Sequence, residues 1–243
     1  MTIDRGPLDE LVASYAAEHH CPTVLWGVVR DGALATTGNV TAPGQPDGVD
    51  EHTVTRIASM TKSFSAAATL LLRDEGVLRL DDPIAEYDPS LAGLRSGTSD
   101  APPVTVRDLI SMASGLVMDD PWADRHLDLT DDEFDAIVAR GCVFAEPTAA
   151  GYEYSNFGFA VLGRVVERAS GRRIQEIVSD RLLGPLGMTS STWVEPEHDR
   201  WLRPLRWLDD AWVEERPTPG DGLIAPMGGI WTTVADLARW VTW

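Results

Sequence analysis

Apolar positions recur at helical spacing from the start of the chain. After Pro7, residues Leu8, Leu11, Val12, Tyr15 and Ala16 share one helical face, and Pro22 stops that element. Thr23 to Arg30 is β-branched and apolar, Asp31-Gly32 predicts a hairpin turn, and Ala33 to Asn39 returns. Thr41 to Asp50 carries two Pro and two Gly and reads as a surface loop. A strand-like run, Thr53 to Ile57, leads to Ser59. Ser59 to Glu75 is then Ala/Leu-rich and apolar nearly all round, which predicts a buried central helix with Gly76 as its C′ residue.

The rest of the chain is mainly helical in pattern. Asp82-Pro83 starts a short helix, and Leu91 to Pro103 is a Gly/Ser/Pro loop. Thr105 with Asp108, Thr130 with Glu133, and Thr233 with Asp236 have capping-box spacing and start helices at each place. Asn156 to Ala169 is a helix ending at Gly171, and Ile174 to Leu183 follows as another. The pattern is thus a short β start followed by a helical body. One hairpin cannot cover both sides of so apolar a helix. Either helices do all the packing, or further sequence completes the sheet.

Charge narrows the partners. The 38 Asp and Glu outnumber the 20 Lys and Arg, for a formal charge of −18, whereas binding to phosphate backbones or anionic membranes needs clustered Lys and Arg. No apolar run reaches the length of a membrane span, and the first residues lack a secretory pattern. The expectation is a cytoplasmic protein without nucleic-acid or membrane partners. Its two cysteines, Cys21 and Cys142, are read as reduced and buried.

Of the 20 basic residues, 19 are Arg, and the only Lys is Lys62. It follows Ser59 by three positions, so on a helix the amine approaches the hydroxyl. A Ser hydroxyl is a poor nucleophile until a nearby base accepts its proton. Arg never gives up its proton, while an amine can. With 14 serines in 243 residues, a lone Lys falls three after a Ser by chance only about 6% of the time. Downstream, Tyr154-Ser155-Asn156 precedes a helix and offers a relay hydroxyl and an orienting amide.

Together these segments resemble the serine β-lactamase-like and penicillin-binding-protein-like superfamily, nearest to class C β-lactamases, family VIII esterases and D-aminopeptidases. The resemblance also rests on Leu78-Arg79-Leu80-Asp81-Asp82-Pro83, Val104 to Ile110, Ser114-Gly115-Leu116, Leu186-Gly187-Met188 and Gly228-Gly229-Ile230-Trp231. It implies an α/β fold, an antiparallel sheet flanked by helices plus a mainly helical subdomain. It also implies Ser59 as acylated nucleophile, Lys62 and Tyr154 as proton-transfer pair, and Asn156 as a substrate or Lys contact. The Ser59 N–H becomes one oxyanion donor. Two departures stand out. Met112-Ala113 replaces the usual His-Thr before Ser-Gly-Leu, a change read as local packing. No Lys/His-x-Gly triplet follows Asn156, so the resemblance leads one to expect a C-terminally truncated domain, 1–243, lacking its last strands and helix. Its expected divisions are a sheet-domain start about 1–58, a helical body about 59–190 and a Trp-rich segment with helix about 191–243.

Other residues carry less. Ser114 lacks a nucleophile-elbow context and reads as a turn. Asp119, Asp120, Asp124, His126 and Asp128 match no Ca²⁺ loop and read as a solvated acidic stretch, so no metal is expected. His19, His20, His52 and His198 read as surface or capping residues. Seven of the nine Trp lie from Trp193 onward and are assigned to packing, with an apolar acyl pocket as the alternative. Trp122, on the loop that borders the cleft in such enzymes, is a substrate-contact candidate.

The expected function is a cofactor-independent serine hydrolase forming an acyl-enzyme on Ser59 with a small ester, amide or D-amino-acid peptide. Two alternatives are a non-catalytic penicillin-binding-like module and an inactive fragment needing its C-terminal part. Neither the substrate nor the oligomeric state is readable.

Overall fold

Asp31 and Gly32 both take positive φ, 52° and 76°, as a two-residue hairpin turn requires, and the chain doubles back there. The strands it joins, β1 (Thr23–Arg30) and β2 (Ala33–Thr41), pair antiparallel with an irregularity between Val28 and Val29. The computed structural model describes residues 3–97, 100–119, 123, 125–215 and 220–243. The chain divides into two compact units.

The first unit comprises Met1–Arg56, Leu183–Pro217 and Trp231–Trp243 and holds every strand among the described residues. Helices α1 (Gly6–Glu18) and α7 (Val234–Thr242) pack on the β1–β2 hairpin. Two further antiparallel pairs complete it, β3 (Thr55–Arg56) with β6 (Trp231–Thr232), and β4 (Leu205–Leu208) with β5 (Ala211–Glu214). The β4–β5 hairpin is absent from the sequence expectation. Its turn is Asp209-Asp210, with φ of 48° and 59°, a conformation Asp tolerates better than most residues. Trp207 and Trp212 face each other across it, ring centroids 5.0 Å apart. Trp201 meets Trp231 edge-on at 5.5 Å, Trp240 lies 5.3 Å from Trp243, and His20 stacks on Trp207. These rings pack on one another within this unit.

The second unit, Ile57–Leu182 with Thr218–Ile230, is helical. It contains α2 (Thr61–Asp74), α3 (Val106–Ile110), α4 (Asp131–Arg140), α5 (Asn156–Ser170) and α6 (Ile174–Val178). Two of the three expected capping boxes form, Thr105 with Asp108 and Thr130 with Glu133, each side chain bonding the other's backbone amide, whereas at α7 Thr233 accepts the Asp236 amide but the Asp236 carboxylate bonds Ser190 and Ser191 instead. Antiparallel strands flanked by α1 and α7 in one unit, and the remaining helices in the other, match the α/β fold expected. No helix among the described residues is long and apolar enough to cross a membrane.

Two expectations are corrected here. Helix α2 is not buried all round: Thr61, Lys62, Phe64, Ser65, Ala68, Thr69 and Leu72 face inward, while Ala66, Ala67, Leu70 and Leu71 are half-exposed. The central helix is α5, buried at every position from Asn156 to Val166 and packed against α2, α3 and α6. The segment 174–183 is not one α-helix. Its α-helical part ends at Val178, and a π-type turn follows over Ser179–Leu183. Ser179 bonds its hydroxyl back to the Gln175 carbonyl at 2.8 Å, a contact that locally perturbs a helix.

The burial of α5 carries one charge inside. Arg164 is 1% exposed, with Asp131 at 2.9 Å, Asp135 at 3.0 Å and Asp88 at 3.9 Å, and lies over the Phe134 ring. Burial pushes the Asp88 carboxyl up. The Ser90 hydroxyl and amide, with Arg168 and Arg164, outweigh it and hold the group below the usual range. A carboxyl depressed on folding stabilises above its unfolded pKa of about 4, and that stability is lost as pH falls through the folded value. Urea midpoints are therefore expected to drop as pH falls below about 4, and less steeply in Asp88→Asn. Arg164→Met, which leaves buried Asp88 without this cation, is expected to cost about 3 kcal/mol at pH 7.

Candidate active site

All the residues that meet Lys62 in this site belong to the second unit. The chain enters α2 through a 3₁₀ turn, Ala58–Met60, in which Ala58 adopts φ 45°. A non-glycine residue pays strain for that conformation and keeps it only where neighbours hold it. Here the Ile57 amide donates to the Ile230 carbonyl at 3.0 Å, and the Ile230 amide donates to Thr61 Oγ1 at 3.2 Å. Ser59 therefore lies on the turn before the α-helix, not within it as the sequence suggested. Lys62 follows on the first turn of α2, and the tighter turn before it brings Ser59 toward the same side. Lys62 Nζ sits 3.0 Å from Ser59 Oγ. Ser59 is exposed, whereas Lys62 is only 8% exposed.

The Tyr154–Asn156 segment approaches from the other side. Ser155 is extended (φ −136°, ψ 124°), so its neighbours point opposite to it. Tyr154 OH lies 2.7 Å from Ser59 Oγ, and Asn156 Oδ1 accepts from Lys62 Nζ at 2.7 Å. Ser155 turns the other way and accepts the Gly158 amide as N-cap of α5. Lys62 Nζ also lies over the rings of Tyr154 (4.8 Å) and Phe159 (5.5 Å). Of the two roles open to Asn156 in the sequence, the geometry shows the Lys contact.

Three partners were not assigned to this site in the sequence reading, which gave Met112 to local packing and put Asp119 in a solvated acidic stretch, whereas Asp119 is half-buried and bonded. The first is the Met227 carbonyl, which accepts from Lys62 Nζ at 2.9 Å. A backbone acceptor can be supplied by any residue, so no side chain announces it. The second is Asp119, whose carboxylate accepts the amides of Asn156 (2.8 Å) and Phe157 (2.9 Å). Its only available signal was that Ser155 satisfies one of the four unpaired amides at a helix start. The third is Met112, whose sulfur accepts the Ser155 amide at 3.5 Å and whose carbonyl accepts the Glu153 amide at 2.8 Å. The Met112-Ala113 departure thus packs against the Tyr-Ser-Asn segment itself.

Residues 8–243 match the family model described as Beta-lactamase. The chain belongs to the beta-lactamase family. It is 28% identical to Penicillin-binding protein 4 of Amycolatopsis lactamdurans over 98% of this chain and 63% of that protein. It is also 28% identical to the D-alanyl-D-alanine-carboxypeptidase/endopeptidase AmpH of Escherichia coli K12, over 83% of this chain and 51% of that one. The chain therefore spans between half and two thirds of the length of these relatives. Among solved structures, the octameric penicillin-binding protein homologue from Pyrococcus abyssi covers 99% of the chain with TM-score 0.80 and 25% identity; 56% of that homologue is matched. A D-stereospecific amidohydrolase from Streptomyces sp. shares the fold, with TM-score 0.73 and 22% identity over 98% of this chain and 72% of that one.

Within this beta-lactamase-family chain the competing groups are placed elsewhere. Ser114 is buried, and its hydroxyl accepts the Leu116 amide at 3.4 Å, a turn contact. Burial pushes the Cys142 thiol up to about 11, which leaves it protonated and a poor nucleophile near neutrality. Cys21 and Cys142 are both free thiols and half-buried rather than buried. His198 Nδ1 accepts the Arg200 amide, and His52 lies 3.9 Å from Glu51. Trp122, Asp120 and Asp124 lie outside the described residues. Among the described residues no group of three His, Cys, Asp or Glu is arranged to hold a metal.

The Met227 carbonyl is kept in place by close packing. Ser65 Oγ donates to the Pro226 carbonyl at 2.7 Å, and α5 passes Pro226 at Gly163, where a Cβ would lie 2.9 Å from Pro226 Cγ. Gly163→Val is therefore expected to destabilise the protein by about 1–3 kcal/mol through overpacking, read as a lower urea midpoint. Val at the half-exposed Ala66 on α2 is the control and should change it by less than about 1 kcal/mol.

Proposed function

We propose that the chain carries the catalytic centre of a serine hydrolase that works through an acyl-enzyme on Ser59. The observation that carries this reading is the placement of Lys62 Nζ against Ser59 Oγ, Asn156 Oδ1 and the Met227 carbonyl, and the reading takes the amine in its neutral form. A neutral amine has two N–H donors and one lone pair. The Asn156 Oδ1 and Met227 carbonyl oxygens can only accept, so they take the two hydrogens. The lone pair then faces Ser59 Oγ, at 3.0 Å. Lys62 is thereby oriented as a base toward the one partner that has a proton to give.

The reaction follows from that arrangement. Ser59 Oγ attacks the substrate carbonyl carbon as its proton passes to Lys62 Nζ. The tetrahedral intermediate collapses, the bond to the leaving alcohol or amine breaks, and the leaving group takes a proton delivered through Tyr154 OH, 2.7 Å from Ser59 Oγ. Lys62 returns its proton to Tyr154. Water then attacks the acyl carbon by the same route in reverse, releasing the carboxylic acid and restoring the Ser59 hydroxyl. The Ser59 amide, at the start of α2, serves as one oxyanion donor.

The substrate class is a small ester, amide or D-amino-acid peptide. Support comes from the activities named for similar proteins: the carboxypeptidase/endopeptidase, the amidohydrolase, and Esterase EstB of Burkholderia gladioli, 32% identical over 63% of this chain and 42% of that one. No step needs a cofactor.

A fluorophosphonate probe should form one adduct, mapped by peptide mass spectrometry to Ser59 and absent from Ser59→Ala. Tyr154→Phe should slow that labelling by about 10²-fold or more without unfolding the protein. A folded protein that takes no label, or takes it on another residue, contradicts the proposal.

A further inference from the structure

The geometry points to Asp119 as a positioning residue of this site: its carboxylate fixes the first two amides of α5 and so sets where Asn156 presents Oδ1 to Lys62. This rests on the acyl-enzyme reading above. One carboxylate spans two successive amides, Oδ1 to Asn156 N at 2.8 Å and Oδ2 to Phe157 N at 2.9 Å. Two bonds from one rigid planar group constrain both the position and the rotation of the first helical turn. Asn156 lies at the junction, its backbone held by Asp119 and its side chain bonded to Lys62 at 2.7 Å.

The contact does more than fill two open amides. Ser155 already supplies the N-cap bond to Gly158 N, and α5 is buried continuously from Asn156 to Val166, so packing holds the helix as a whole. What Asp119 adds is placement of the helix's first residue, the one that touches the Lys62 amine. The acceptor-only character of a carboxylate is required. An Asn at 119 offers one accepting oxygen and one N–H₂ group, which would face an amide N–H and push it away. An error of under an ångström in Asn156 would misdirect the Lys62 lone pair, and catalysis is sensitive to displacements of that size.

The test is a double-mutant cycle in the full chain with Asp119→Asn and Asn156→Ala, using p-nitrophenyl acetate as the probe ester. Asp119→Asn should lower kcat about tenfold with KM within about twofold, and should lower it less than about twofold further in the Asn156→Ala background. An unchanged kcat, or the full effect persisting without the Asn156 side chain, overturns the proposal. A second readout is independent of turnover. With a single Lys in the sequence, ¹³C-lysine labelling gives one Cε resonance, that of Lys62. Asp119→Asn should move that resonance in wild-type background and leave it in place in Asn156→Ala. A resonance unmoved in the wild-type background overturns the proposal even if the protein hydrolyses no ester, an outcome that would by itself count only against the acyl-enzyme reading.

Discussion

Everything in the site depends on one constraint: a primary amine has a limited number of directions, and two of those around Lys62 are taken by oxygens that only accept. Asn156 Oδ1 and the Met227 carbonyl, at 2.7 and 2.9 Å, leave Ser59 as the contact across which a proton can move either way. The rest of the helical unit maintains those two acceptors. Ser65 and Gly163 hold the backbone at Pro226, one residue before Met227. Ser155, Met112 and Asp119 hold the start of α5, where Asn156 sits.

The same logic bears on why Ser59 sits on a 3₁₀ turn and not in the helix. An α-helical Ser59 would lie about a sixth of a turn off the eclipsed position relative to a residue three further on. The tighter turn brings Ser59 Oγ over Lys62 Nζ, and leaves Ser59 exposed while Lys62 stays buried. The cost is the positive φ of Ala58, balanced by the Ile57–Ile230–Thr61 ties.

Legibility in the sequence followed the range of the interaction. Local devices were readable: the Asp31-Gly32 turn, two of the three capping boxes and the Ser59/Lys62 spacing each involve residues within a few positions. The solitary Lys62 made the Ser59/Lys62 pair stand out against 19 arginines. Contacts from far along the chain were not readable. Met227 and Asp119 reach the site from 165 and 37 positions away from their partners, and act through a carbonyl or on backbone amides, which carry no residue code. Which helix would be central was misjudged for a related reason. Helix α2 is richer in Ala and Leu, yet burial was decided by what packs around α5, including a charged Arg164 that composition assigns to the surface. The β4–β5 hairpin was hidden because its Asp-Asp turn lacks the Gly that usually marks such a reversal.

The most direct measurement is the rate of Ser59 acylation by a fluorophosphonate in Lys62→Arg, with the melting temperature recorded alongside. Arginine keeps the cation and donors but never yields a proton-accepting lone pair. The account predicts a folded protein whose Ser59 is acylated at least about 100-fold more slowly than in the parent. Acylation at the parental rate would show that Lys62 contributes charge alone, and would contradict it.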